Sequence, residues 1–254
     1  MNVLVTGASS GIGEAIARAS AARGDRLFLC GRDKARLEAV SAACRELGAA
    51  AVRSDTLDVS DASAVREWME SCDAEAPIGR VFANAGIGTG IEDEENVRRT
   101  FATNVDGVVN TVLPAIEIFR RHDGTASAPR QILITASIAG YGPLRACPAY
   151  SATKACVKTW GLALRAMLRR EGIRVSVICP GFVRSRLTDR NTCPMPFLMG
   201  ADKAARIILR RADRNTAIIA FPWPMRLAAW AAGAMPQWMN ALLNAVLPDK
   251  FARI

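Results

Sequence analysis

Half of the 254 residues are apolar and 22% are charged, a balance that excludes a disordered chain and suits a folded protein with a sizeable core. A net charge of +9 fits an anionic ligand, an acidic partner, a membrane surface or simply a basic exterior, while no dense basic run interleaved with aromatics points to nucleic acid. A single histidine, His122, rules out two-histidine metal motifs and forces any Ser-His-Asp triad through itself; seven scattered cysteines without Cys-x-x-Cys argue against a zinc cluster or disulfide framework and for a reducing compartment.

Apolar runs suited to strands fall at 3–5, 27–29, around 52, 81–82, 132–134, 175–178 and 217–220. Between them, amphipathic segments at 11–23, 33–47, 61–74, 94–121, 149–171 and 201–213 read as helices. Strand and helix alternate throughout, which predicts a three-layer, doubly wound α/β (Rossmann) fold around a seven-stranded parallel sheet. No linker divides the chain, so one domain over 1–254 is expected. The first strand starts at Asn2 with no leader pattern ahead of it, which gives a cytoplasmic expectation. His122 is expected to be a solvated loop or helix-end residue.

The glycine-rich turn Thr6-Gly-Ala-Ser-Ser-Gly-Ile-Gly13 follows the first strand and opens a helix. Gly7 allows the tight turn, Gly11 lets backbone approach a pyrophosphate, and Gly13 lets helix pack closely on strand. The helix start, with Ser9, Ser10 and Ile12 in the turn, offers free N–H groups to phosphates. The second strand ends in Gly31-Arg32, where an NAD-preferring site usually carries an acid. Arg32 suits a 2′-phosphate, so NADP(H) is the preferred cofactor, and NAD(H) is the alternative if Asp33 takes the acid's place.

Further along, Ser137 ends an apolar run and Tyr150-x-x-x-Lys154 places a phenol and an ammonium one helical turn apart. Tyrosine ionises near pH 10 unperturbed, so a neighbouring cation is expected to lower the Tyr150 pKa and turn it into a usable acid or base. Neither a histidine nor a metal is needed for that chemistry.

The C-terminal region departs from the alternation. Residues 221–247 carry only one charge, Arg226, and hold Trp223, Trp230 and Trp238. Pro222, Pro224 and Pro236 cut the stretch into pieces too short to span a bilayer, since a spanning helix needs about 20 residues. This Pro/Trp-rich extension, at about 221–254, reads as a lid over the substrate site, a subunit interface, or an amphipathic segment on a membrane surface.

Thr6-Gly-x-x-x-Gly-Ile-Gly13, Asn84-Ala-Gly86, Asn104, Ser137, Tyr150-x-x-x-Lys154 and Pro180-Gly181 occur in this order, and through them the chain resembles the short-chain dehydrogenase/reductase family over residues 2 to about 220. The resemblance implies a hydride-transferring oxidoreductase acting on a carbonyl or alcohol. It makes Tyr150 the general acid or base, Lys154 its electrostatic partner and a ligand of the nicotinamide ribose, and Ser137 the group that holds the substrate oxygen. Asn104 would hold a water in a relay to Lys154. Asp58 and Val59 would border adenine; Asn84, Ala85 and Gly86 would lie along the cofactor, and Pro180, Gly181 and Val183 beside the carboxamide. The 184–200 segment corresponds to the family's substrate loop, where Met195 and Phe197 suggest an apolar substrate, and Tyr141 is a further candidate for the pocket wall. Family members pair through their long helices, which implies a homodimer or homotetramer through 94–121 and 149–171. The extension departs from bacterial 3-oxoacyl-carrier-protein reductases, which usually end in a short tail, and looks more like the tails of enzymes acting on bulky lipid-like substrates. A non-catalytic NADP sensor, or a lipid reductase docked on a membrane through 221–247, are the rival readings.

Overall fold

The computed structural model describes residues 1–122, 130–186, 188–189, 194–236, 238–239, 242 and 245. Cys193 and most of the extension beyond Met239 therefore lie outside the described residues. Seven strands form one parallel sheet: β1 (Asn2–Thr6), β2 (Arg26–Gly31), β3 (Ala51–Thr56), β4 (Arg80–Ala83), β5 (Gln131–Thr135), β6 (Arg174–Pro180) and β7 (Ile218–Phe221). Their order is β3-β2-β1-β4-β5-β6-β7, so the winding reverses between β1 and β4. Ligands of open parallel sheets bind in the crevice at such a reversal, beyond the carboxyl ends of the strands.

The central strands are apolar on both faces because both faces are covered, whereas β3, at the sheet edge, is polar in its second half and only partly buried. Leu4, Phe28, Val81 and Ile132 point into one core with α3 (Ala62–Glu75), α5 (Gly107–Arg121) and α6 (Pro148–Met167). Val3, Leu27, Phe82 and Leu133, one residue out of step, point into the other with α1 (Gly11–Ala21), α2 (Lys34–Glu46) and α7 (Ala201–Asp213). The alternation follows from the two-residue period of a strand. Helix starts are specified locally: Asp33, Asp61 and Asp93 each accept a backbone N–H at the start of α2, α3 and α4 (Glu94–Phe101).

The predicted helix over 94–121 is not continuous. Residues Ala102–Asp106 form a π-helical turn between α4 and α5. A single wider turn of this kind re-aims one side chain, and here that side chain is Asn104. The predicted 149–171 helix ends as α6 followed by a 3₁₀ turn at Leu168–Glu171. After β7 the extension forms α8 (Trp223–Ala234), opened by prolines where their missing N–H does no harm. Among the described residues, no helix is long and apolar enough to cross a membrane.

Candidate active site

Four side chains from three elements meet beyond the carboxyl ends of β4 and β5. Ser137 follows β5, accepts the Ala139 N–H at 3.1 Å and lies 3.4 Å from the Pro180 carbonyl that it can donate to. Its hydroxyl is also hydrogen-bonded to the hydroxyl of Tyr150, in the first turn of α6. One turn on, Lys154 is 3% exposed; its ammonium donates to the Thr135 carbonyl at 2.9 Å and lies 5.8 Å from the centre of the Tyr150 ring. Asn104, fully buried, accepts the Ile87 N–H at 2.8 Å and donates to the Ile87 carbonyl at 2.9 Å and to Thr153 Oγ1 at 3.2 Å. Gly86 lies between these parts: a Cβ there would stand 3.2 Å from both Asn104 Oδ1 and Lys154 Nζ.

The electrostatics differ from the sequence expectation. Burial pushes the Tyr150 phenol up to about 12, although the Ser137 hydrogen bond works in the opposite direction. Burial likewise presses the Lys154 ammonium down to about 8. A lysine 5.8 Å from the ring centre, with its ammonium committed to a carbonyl, does not offset the cost of placing a phenolate in this interior. The phenol of Tyr150 is therefore protonated at neutral pH. Asn104 spends its amide hydrogens and one lone pair on Ile87 and Thr153, and so braces the loop after β4 against α6.

The glycine turn lies at the β1–β4 reversal. Gly7 and Gly11 adopt φ of +67° and +59°, a region L side chains avoid. A Cβ on Gly13 would lie 2.2 Å from the Gly7 carbonyl oxygen, so only glycine lets α1 sit this close to the turn. Ser10 gives no side-chain cap to α1, which leaves the first-turn N–H groups of Gly11, Ile12 and Gly13 suited to a pyrophosphate. Asn84 ties the turn to β4, donating to the carbonyls of Thr6 and Gly7 at 3.2 and 3.4 Å. Its neighbour Ala85 donates its N–H to Thr6 Oγ1 at 3.2 Å.

At the outer end of the crevice, Arg32 lies 3.5 Å from Asp58, and both are exposed. Asp58 also accepts the N–H and hydroxyl of Ser60. Asp33 is occupied as the cap of α2 and in a pair with Arg36. A Cβ at Gly31 would meet Ser9 at 3.0 Å, so a larger side chain at this strand end would press on the glycine turn. Val59, expected beside adenine, has its side chain buried against Gly107. Gly181 donates to the Phe221 carbonyl at 2.7 Å, and Val183, buried, bridges to Met199.

The remaining residues are less central. Tyr141 lies with its ring under the Lys158 ammonium, 4.0 Å away, and its hydroxyl is hydrogen-bonded with Arg226 of α8 and Cys179. It lines a cavity of about 470 Å³ between residues 140–145 and α6, a cavity whose lining includes neither Ser137 nor Tyr150. Met195 is half-buried and Phe197 is 60% exposed on a loop tip. His122 is a helix-end residue, at the C-terminal cap of α5, as expected; its partly exposed ring pairs with Asp73 at 2.7 Å, and with β5's amino end it lies at the opposite edge of the sheet from Ser137. Sequence reasoning missed Thr153, which bonds Asn104 and the Tyr150 carbonyl, and Glu92, which accepts the Ala149 N–H from 57 residues away.

The family model for short chain dehydrogenases matches residues 1–194. The chain belongs to the short-chain dehydrogenase family. An uncharacterized oxidoreductase of Myxococcus xanthus is 38% identical over 251 residues, covering 95% of this chain and 94% of its own. A Sphingobium yanoikuyae short-chain dehydrogenase solved with NADPH superposes with a TM-score of 0.78 at 26% identity, over 99% of this chain and 98% of its own. A Burkholderia phymatum short-chain dehydrogenase/reductase solved with NAD gives a TM-score of 0.81 at 24% identity, over 97% and 96%. This short-chain dehydrogenase is thus an oxidoreductase with the nicotinamide-binding Rossmann fold of its family.

Proposed function

We propose that the protein is an NADP(H)-dependent reductase of a hydrophobic carbonyl compound, with Tyr150 as the general acid. The observation that carries this reading is the hydrogen-bonded Ser137–Tyr150 hydroxyl pair beside the buried Lys154 ammonium. When bound, a dihydronicotinamide would supply the hydride for the carbonyl carbon. Ser137 donates to the substrate oxygen and places it against Tyr150. As that oxygen gains alkoxide character it becomes far more basic than a phenolate, so Tyr150 gives up its proton even with a pKa near 12. Lys154, its ammonium 5.8 Å from the ring centre, is the cation that faces the phenolate that remains and partly offsets its charge.

NADP preference rests on Arg32 and on the closeness of Ser9 to Gly31. An apolar substrate is supported by Phe197 and Leu198 on the loop after β6 and by Trp223, Leu227 and Trp230 on α8, all of them exposed beyond the same edge of the sheet as Tyr150. A homo-oligomer fits the exposed Phe101, Leu113 and Met167 on α4, α5 and α6. Replacing Tyr150 with Phe tests the central claim. Against a panel of aldehydes, ketones, steroids and acyl thioesters, followed by NADPH absorbance, turnover should fall on the order of a thousandfold with NADPH affinity kept. Turnover within a few-fold of wild type would discard the mechanism.

A further inference from the structure

The first turn of a helix has N–H groups with no partner in their own helix, and the Cys147 side chain, at the cap position of α6, does not cap them. Pro148 removes one donor at the first position. The next, the Ala149 N–H, is taken by a residue 57 positions upstream. Both carboxylate oxygens of Glu92 accept it, at 3.1 and 3.3 Å. Ala149 is the residue immediately before Tyr150.

Glu92 stands at the end of the segment that leaves Asn84-Ala-Gly86. The other end of that segment is fixed as well, since Ile87 exchanges two hydrogen bonds with Asn104. From Asn104 the connection returns to α6 through Thr153 Oγ1 at 3.2 Å, and the Thr153 hydroxyl donates to the Tyr150 carbonyl at 2.8 Å. Residues 87–92 thus form a strap from Asn104 to the start of α6, and Tyr150 lies between its two points of attachment, Ala149 and Thr153. The carboxylate also meets the positive end of the helix dipole, which favours it there over a neutral group.

We propose that Glu92 is a positioning residue for the reaction: it fixes the first turn of α6 and so the approach of the Tyr150 hydroxyl to Ser137. The proposal rests on Tyr150 being the proton donor. It explains how the catalytic helix does without a side-chain cap from Cys147: the cap comes from the strap that follows Gly86, so the cradle side and the acid–base side are set by one piece of chain.

The test compares Glu92→Ala and Glu92→Gln in the full-length protein. The alanine variant loses the acceptor, and kcat should fall about tenfold, the size of a lost helix cap, with the Kd for NADPH unchanged. The glutamine variant keeps an acceptor oxygen at the same reach and should recover kcat to within about twofold of wild type, since only the charge is lost. Amide hydrogen exchange over 147–153 should accelerate about tenfold in the alanine variant and not in α1. An unchanged kcat in Glu92→Ala, equal losses in both variants, or a parallel loss of NADPH affinity would each overturn the proposal. Absence of wild-type turnover across the carbonyl panel would sink the reaction and the catalytic meaning of the strap together. The exchange measurement separates that failure from a Glu92 that does not hold the helix.

Discussion

The glycine turn and α8 both meet the carboxyl edge of the sheet through a glycine pressed on backbone, yet they are attached to the molecule in opposite ways. A Cβ on Gly13 would stand 2.2 Å from the Gly7 carbonyl oxygen, and one on Gly233 would stand 2.1 Å from that of Tyr141. Behind Gly13 lies α1, with Ala15, Ile16 and Ala17 fully or almost fully buried. Behind Gly233 lies a helix with no buried residue, held by Met225 beside Gly181 and by Arg226 at the Tyr141 hydroxyl. Trp223 is 74% exposed and Trp230 60%. Equal local crowding therefore has unequal consequences, because a clash costs only as much as the surrounding packing prevents its relief.

The largest effect expected from that contrast is at Gly13. Gly13→Ala overpacks a site bounded by backbone on one side and Asn84 on the other, and should cost about 3 kcal/mol of stability and most of the cofactor affinity. Gly233→Ala carries the same clash on paper but lets α8 move away, so its cost should stay below about 1 kcal/mol with the NADPH affinity unchanged. Denaturant unfolding and cofactor titration of the two variants measure both quantities. Equal losses would mean that α8 is as firmly built in as the glycine turn.

A middle-sized effect belongs to Arg32, the exposed side chain of an otherwise backbone-built cofactor half. Its partner Asp58 is equally exposed, so the ion pair contributes little to stability. Arg32→Ala should leave melting unchanged and lower the NADPH-over-NADH preference in kcat/KM about tenfold. An unchanged preference would remove Arg32 from the 2′-phosphate reading and sharpen the view that the crevice recognises its cofactor through backbone alone.

Much of this organisation was legible beforehand where the signal is local. The seven strands follow from apolar runs, the glycine turn and the nearness of Tyr150 to Lys154 from spacing, and the place of Ser137 beside them from the family resemblance. What stayed hidden depends on contacts between distant segments. The π-helical turn that splits 94–121 is held by Asn104 reaching Ile87 and Thr153 and by Gly107 closing on Val59. Nothing in residues 102–106 alone announces it. The sign of the Tyr150 shift was missed because helical spacing brings Lys154 near but does not reveal that its ammonium turns to Thr135. Glu92 is one carboxylate in the acidic run 92–95, and its partner is 57 residues away.

The smallest expected effect is a difference close to zero, and it isolates the body of the sheet from α8. Burial raises Cys44 and Cys179 to about 11 and Cys72 and Tyr150 to about 12, from ordinary values of 9.0 for the thiols and 10.0 for the phenol. Each group ionises less readily folded than unfolded, so its contribution to stability is complete below the unfolded value and is lost as pH climbs through the folded one. The window runs from about pH 9 to about 12. Lys154 acts the other way: lowered from 10.5 to about 8, it returns stability as pH rises between those values and blunts the early part of the decline. All five groups sit on α2, α3, α6 or β6, and α8 touches the set only through Arg226, the weakest of the influences on Cys179. A protein ending at Pro222 should therefore show the same slope of stability against pH in the alkaline range as the full chain, whatever its offset at neutral pH. A truncated protein with a shallower alkaline decline would show that α8 governs the burial of Cys179 or Tyr150, and that the two regions are coupled after all through Arg226 and Tyr141.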